Sequence, residues 1–139
     1  MEEAILRLKL RRGAGGRVIL VDTSVWIDHL RNAEVKLQSL LQDGEVVTHP
    51  FVRLELALGS IANREKVLGD LALLPHVPIV ETGELFSLVE IRRLYRRGIG
   101  VTDIHLIASA LFDKSISIWT RDRRLSDIAD EFGLRAAIS

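Results

Sequence analysis

Four acidic side chains in this chain, Asp22, Glu55, Asp103 and Asp122, stand where their neighbours ask for an explanation. Asp22 ends the apolar run in VILVDTSVWI and is followed at once by the hydroxyls of Thr23 and Ser24. Singly, three of the acids have plain readings: Asp22 as a turn or cap residue, Asp103 as an acid favoured by a helix dipole, and Asp122, within RDRR, as half of a surface ion pair. Glu55 is harder to place. At about 100° per residue it falls between Phe51 and Ala62 and close to Leu54 and Leu58, so it is expected on an apolar stripe. A carboxylate facing a core needs a partner, because desolvating an unpaired charge costs several kcal/mol. The nearest arginine, Arg53, points to the other side of that helix. A cation held jointly by several carboxylates answers better than four separate accidents. Oxygen ligands without cysteine or a histidine pair favour Mg²⁺ or Mn²⁺ over Zn²⁺. Such an ion stabilises charge at a scissile phosphate and activates or positions an attacking water, and a second ion would stabilise the leaving oxygen. The chemistry is phosphodiester hydrolysis.

The elements that must position these acids alternate. Strands are expected at Val18–Asp22, Glu45–Thr48, Val77–Val80, Ser117–Thr120 and Leu134–Ile138. Helices are expected from Ser24 to Arg31, Glu34 to Gln42, Pro50 to Leu58, Asn63 to Leu74, Glu81 to Arg97, Asp103 to Asp113 and Leu125 to Phe132. Ser24 and Thr102 serve as caps, Pro50 takes a first helical position, and Gly98 and Gly100 close the long helix. This order predicts an α/β fold, a parallel sheet covered by helices on both faces. Ligands of such sheets gather beyond the carboxyl ends of the strands. Asp22 and Asp122 follow strands at that edge, and Asp103 opens a helix that must run back from it. Glu55 lies on the helix leaving it.

Composition narrows the class. The 139 residues suit one domain, 47% are apolar, and 19 basic residues balance 19 acidic ones, so no net field draws the chain to nucleic acid or membrane. Arg outnumbers Lys 15 to 4, which suits forked contacts to phosphate but equally reflects arginine-rich codon usage. Cysteine is absent, and His29, His49, His76 and His105 show no ligand spacing. No apolar run approaches the roughly 20 residues of a membrane span, and a signal-peptide core is lacking. A soluble, cytoplasmic protein is expected. Residues 1–17, MEEAILRLKLRRGAGGR, are read as an extension and glycine linker ahead of a domain at 18–139, and translation starting at Val18 is one expectation.

The stretches LVDTSVWIDHLR, THPFVRLELALGS, GIGVTDIHLIASAL and WTRDRRL, in that order from Val18 onward, resemble the four acidic motifs of PIN-domain ribonucleases, and more narrowly of VapC-like toxins of bacterial toxin–antitoxin pairs. The resemblance implies a five-stranded parallel sheet in a helical sandwich and Mg²⁺- or Mn²⁺-dependent cleavage of single-stranded RNA. It also implies homodimers and a cognate antitoxin whose C-terminal segment crosses the active-site groove. By position, Asp22, Glu55, Asp103 and Asp122 are the acidic quartet. Asp22, Asp103 and Asp122 are expected nearest the metal, with Glu55 orienting water or completing a second site. Thr23 or Ser24, and Thr120, match the hydroxyls that hold those acids. Arg53-Leu54 replaces the family's smaller Ile-Gly, Thr102 stands where Val is usual, and Met1–Arg17 has no counterpart.

Arg121, Arg123 and Arg124 flank Asp122 and are candidates for phosphate contact. Arg92, Arg93, Arg96 and Arg97 read rather as a solvated helix face, Trp26 and Trp119 as core rather than base-stacking residues, and His49 and His105 as structural. Three other functions fit less well. A haloacid-dehalogenase phosphatase needs Asp-x-Asp, and residue 24 is Ser. A von Willebrand-type metal-binding module needs Asp-x-Ser-x-Ser, which Trp26 breaks. A dinucleotide fold needs G-x-G-x-x-G after the first strand. The rival that remains is a non-catalytic PIN-fold module binding RNA or protein. Against it, a retired site has no physical need for four mutually repelling acids.

Overall fold

Val18–Val21 (β1) is VILV, a β-branched run whose four residues are all buried. Successive side chains of a strand point to opposite faces, so β1 is covered on both. The computed structural model describes residues 17–138; the expected extension lies outside them except for Arg17, whose guanidinium donates to Ser117 Oγ at 3.0 Å. β1 is central. It pairs in parallel with Val46–Val47 (β2) on one side and Ile116–Trp119 (β3) on the other, with Ile19 opposite Val46 and Val18 to Val21 opposite Ile116 to Trp119.

The sheet therefore has three strands, where five were expected. The two missing members reach it only as single parallel bridges, Thr48 with His76 and Ile118 with Arg135. Each bridge rests on two backbone hydrogen bonds. Thr48 N–H donates to Pro75 O and Val77 N–H to Thr48 O, both at 2.9 Å; Ile118 N–H donates to Leu134 O at 2.7 Å and Ala136 N–H to Ile118 O at 2.8 Å. Prolines explain the first case, since Pro75 and Pro78 have no amide hydrogen and leave too short a window for a ladder. In the second, Ile138 N–H turns back onto Ala136 O at 2.9 Å, which takes the chain off the sheet.

Seven helices occur among the described residues: Thr23–Arg31 (α1), Val35–Gln42 (α2), Pro50–Leu58 (α3), Arg64–Leu73 (α4), Thr82–Arg92 (α5), Val101–Phe112 (α6) and Arg123–Glu131 (α7). Pro50 does open α3, where its missing N–H is no loss. Helix α5 ends five residues earlier than expected. Arg93 takes the left-handed conformation (φ 53), as do Arg96 (φ 62) and Gly98 (φ 75), so the chain coils through a loop before α6. Leu94, buried in that loop, draws it inward. The core joins the strands to Val25, Leu37, Val52, Leu106, Ile107, Leu125 and Ile128, one apolar face from nearly every helix. No described helix is long and apolar enough to cross a membrane.

Candidate active site

Asp22 leaves β1 with its N–H on Trp119 O at 2.9 Å and serves as N-cap of α1, a place expected for Ser24. It is only 6% exposed. One oxygen, Oδ2, receives the Ser24 hydroxyl at 2.7 Å, the Thr120 hydroxyl at 2.8 Å and, more weakly, Ser24 N–H at 3.3 Å. Those hydroxyls accept in turn: Ser24 Oγ from Arg121 N–H at 2.9 Å, and Thr120 Oγ1 from Asp122 N–H at 3.0 Å. The ends of β1 and β3 are thus tied through one carboxylate oxygen. Asp122 then caps α7, its Oδ1 accepting Leu125 N–H at 3.0 Å.

Asp103 stands in the first turn of α6, where its Oδ2 accepts Gly100 N–H at 2.9 Å. Gly100, not Thr102, is the N-cap. Burial pushes the Asp103 carboxyl above its ordinary value against the pull of the Gly100 bond, and the charges of Asp22, Asp122 and Glu55 add to the rise. All three other acids are thus close enough to act on it. The sheet edge brings the quartet into one electrostatic neighbourhood.

Glu55 arrives differently from expectation. On α3 the buried residues are Val52 and Leu56, while Leu54 (54% exposed) and Leu58 (80%) face water, and Glu55 is exposed with them. The expected apolar stripe counted two leucines that are surface residues, which is ordinary for leucine. Glu55 is held at the site by a side-chain bond instead: Thr23 Oγ1 donates to Oε1 at 2.7 Å.

Among the described residues, each acid of the quartet has one oxygen engaged and its second free of hydrogen bonds, and no ion pair falls on any of the four. An all-oxygen, net negative donor set with open oxygens fits a hard divalent cation in kind. Among the described residues, however, no three acidic or imidazole groups are already gathered as ligands.

The arginines beside Asp122 differ among themselves. Arg121 bridges Asp28 Oδ2, at 2.8 Å, and Glu34 Oε2, and its guanidinium lies 5.7 Å from the centroid of Trp119. Arg124 lies along Gly98, with a long 3.4 Å contact to its carbonyl. Arg123 is exposed and makes neither an ion pair nor a hydrogen bond within the described residues. Arg92 covers the Phe132 ring at 5.0 Å and Arg97 pairs with Glu131, so both dock onto α7 or its end and are not simply solvated. Trp26 and Trp119 are core residues.

His49 and His105 are both buried, their ring centroids 5.2 Å apart. His49 caps α3 through Nδ1, which accepts Phe51 N–H at 2.9 Å, so the neutral ring carries its proton on Nε2. Burial first, and then the proximity of His105 and His76, push its pKa down to about 4. Two contributions to the site had no signal in the sequence, the Gly100 N–H on Asp103 and the Asp28–Glu34 pair on Arg121. Backbone donors and contacts between distant segments leave no spacing to read.

The PIN domain family model matches residues 19–131, a span that holds the whole quartet. Ribonuclease VapC32 of Mycobacterium tuberculosis, in the strains CDC 1551 / Oshkosh and ATCC 25618 / H37Rv, is 48% identical over 120 residues, covering 86% of this chain and 97% of the relative. With the matched span running from the central strand to the last helix, the chain belongs to the PIN domain family, among its VapC-like members.

Proposed function

We propose that this chain is a Mg²⁺- or Mn²⁺-dependent endoribonuclease that hydrolyses phosphodiester bonds in single-stranded RNA and serves as the toxin of a toxin–antitoxin pair. One observation carries the reading: four acids from distant parts of the chain share an electrostatic neighbourhood, and among the described residues none has a cationic partner. Leaving such a cluster uncompensated costs stability, and a site retained for binding alone has no use for it. The relative's name, ribonuclease, agrees. In this reading Asp22, Asp103 and Asp122 would hold the ion and Glu55 would orient the attacking water. The chemistry such an ion supplies is charge stabilisation at the scissile phosphate and a lowered barrier to deprotonating water.

The chain's own residues do the rest. Ser24 and Thr120 saturate Asp22 Oδ2 and so aim its other oxygen, Thr23 holds Glu55, and Gly100 fixes the rotamer of Asp103. Arg123, with Arg124 beside it, supplies positive charge for the RNA backbone. A homodimer, a cognate antitoxin that covers the site and a cytoplasmic setting complete the proposal. The test is a digest of total RNA with and without Mg²⁺ or Mn²⁺, comparing wild type with Asp103→Asn. Cleavage that needs metal and disappears in the variant is expected; undiminished cleavage by Asp103→Asn would remove the site assignment.

A further inference from the structure

Arg121 sits between two residues that serve the quartet. The Thr120 hydroxyl donates to Asp22 and accepts from Asp122 N–H, and Asp122 is itself one of the four acids. The Arg121 backbone N–H joins the same network through Ser24 Oγ at 2.9 Å. Its side chain turns the other way, spanning Asp28 on α1 and Glu34 at the start of α2. Both acceptors are fixed. Asp28 is carried by a helix, while Glu34 accepts Lys36 N–H at 3.4 Å as cap of α2 and sends its own N–H to His29 Nδ1 at 3.0 Å. The Trp119 ring covers the guanidinium from the strand side.

A fork of this kind uses the planar donor set that distinguishes arginine from lysine. Two of its N–H groups are committed to carboxylates, so a phosphate approaching this guanidinium meets two negative charges already paired with it. Pairs this exposed contribute little to global stability, so their effect is local, on a loop of three residues. From this geometry we infer that Arg121 is a positioning residue: it fastens the Thr120–Asp122 loop to α1 and the start of α2, sets Asp122 relative to Asp22, and makes no phosphate contact. The inference rests on the nuclease proposal only for its kinetic consequence.

The test uses full-length chains carrying Arg121→Gln, Arg121→Lys, Asp28→Asn with Glu34→Gln, or Arg123→Gln. Amide hydrogen exchange, which needs neither metal nor RNA, should quicken about fivefold at Arg121 and Asp122 when ~1 kcal/mol of local anchoring is lost. This should hold for Arg121→Gln and the double variant, with little rescue by the unforked lysine. Arg123→Gln should leave those amides alone. On a single-stranded RNA oligonucleotide, Arg121→Gln should keep KM and the salt dependence of binding while kcat falls roughly tenfold. Arg123→Gln should instead lower the salt slope by about 0.7. A reduced salt slope or raised KM in Arg121→Gln, with its amides unchanged, would make Arg121 a phosphate contact and overturn the inference. Unchanged exchange in both Arg121→Gln and the double variant would overturn it as well. Should the wild type neither bind nor cut RNA, the nuclease proposal falls, while the exchange data still decide the role of Arg121.

Discussion

Two hydroxyl protons end on the same oxygen of Asp22, one from Ser24 in the first turn of α1 and one from Thr120 just past β3. Thr120→Val keeps the shape and removes both the donor to Asp22 and the acceptor for Asp122 N–H. On the proposed metal assignment, loss of such support around Asp22 should weaken Mn²⁺ binding about 10- to 100-fold, measured by titration calorimetry, with the circular dichroism spectrum unchanged. His49 gives a pH prediction. Its folded-state pKa of about 4 lies below the ordinary 6.5, so the stability tied to its neutral form is present above pH 6.5 and is lost as pH falls toward 4. Asn at this position keeps a cap acceptor without the titration. The slope of Tm against pH across that window should therefore flatten in His49→Asn, and an unaltered slope would show that His49 does not titrate there. At this scale the sequence was informative wherever an acid ends a strand or opens a helix, as Asp22, Asp103 and Asp122 do. It misled at Glu55, because periodicity cannot tell a leucine facing the core from one facing water.

Among the elements, the coil between α5 and α6 decides where Asp103 stands. Gly98 there is left-handed, and a Cβ on it would lie 2.7 Å from Arg124 Nη1 and 2.9 Å from its Cδ. Gly133, at φ 68, has open space instead. Alanine at Gly133 should cost about 1 kcal/mol for the left-handed backbone alone. Gly98→Ala should cost more, and adding Arg124→Ala should bring the two level. Urea denaturation measures all three, and equal costs without the arginine change would mean that Arg124 moves aside freely. The capping residues expected at Ser24 and Thr102 were not the ones used, but helix limits were readable where proline or a turn marks them, as at Pro50 and Asp43-Gly44. The end of α5 was not, since burying Leu94 overrides a run of good helix formers. Nor were the outer strands, where two prolines and a backward turn shorten the pairing to one bridge each.

For the molecule as a whole, folding concentrates negative charge at one edge of the sheet, and a ligand that neutralises it should stabilise the fold. Millimolar Mn²⁺ or Mg²⁺ should stabilise the native state by preferential binding, by about 2.7 kcal/mol at a hundredfold excess over Kd, and so raise Tm. Asp22→Asn and Asp103→Asn should abolish most of that shift in calorimetry; a wild-type Tm indifferent to the ions would count against the metal proposal. The strand order has a further consequence, in time. β1 is central in space yet comes first in the described chain, and its longer neighbour, β3, lies near the far end. During synthesis the pairing of the first strand with β3 must therefore wait on the ribosome until Ile116–Trp119 has emerged. On the proposed site assignment, a nascent toxin of this design would stay harmless until Asp122 has left the exit tunnel, and products truncated before it should be inert.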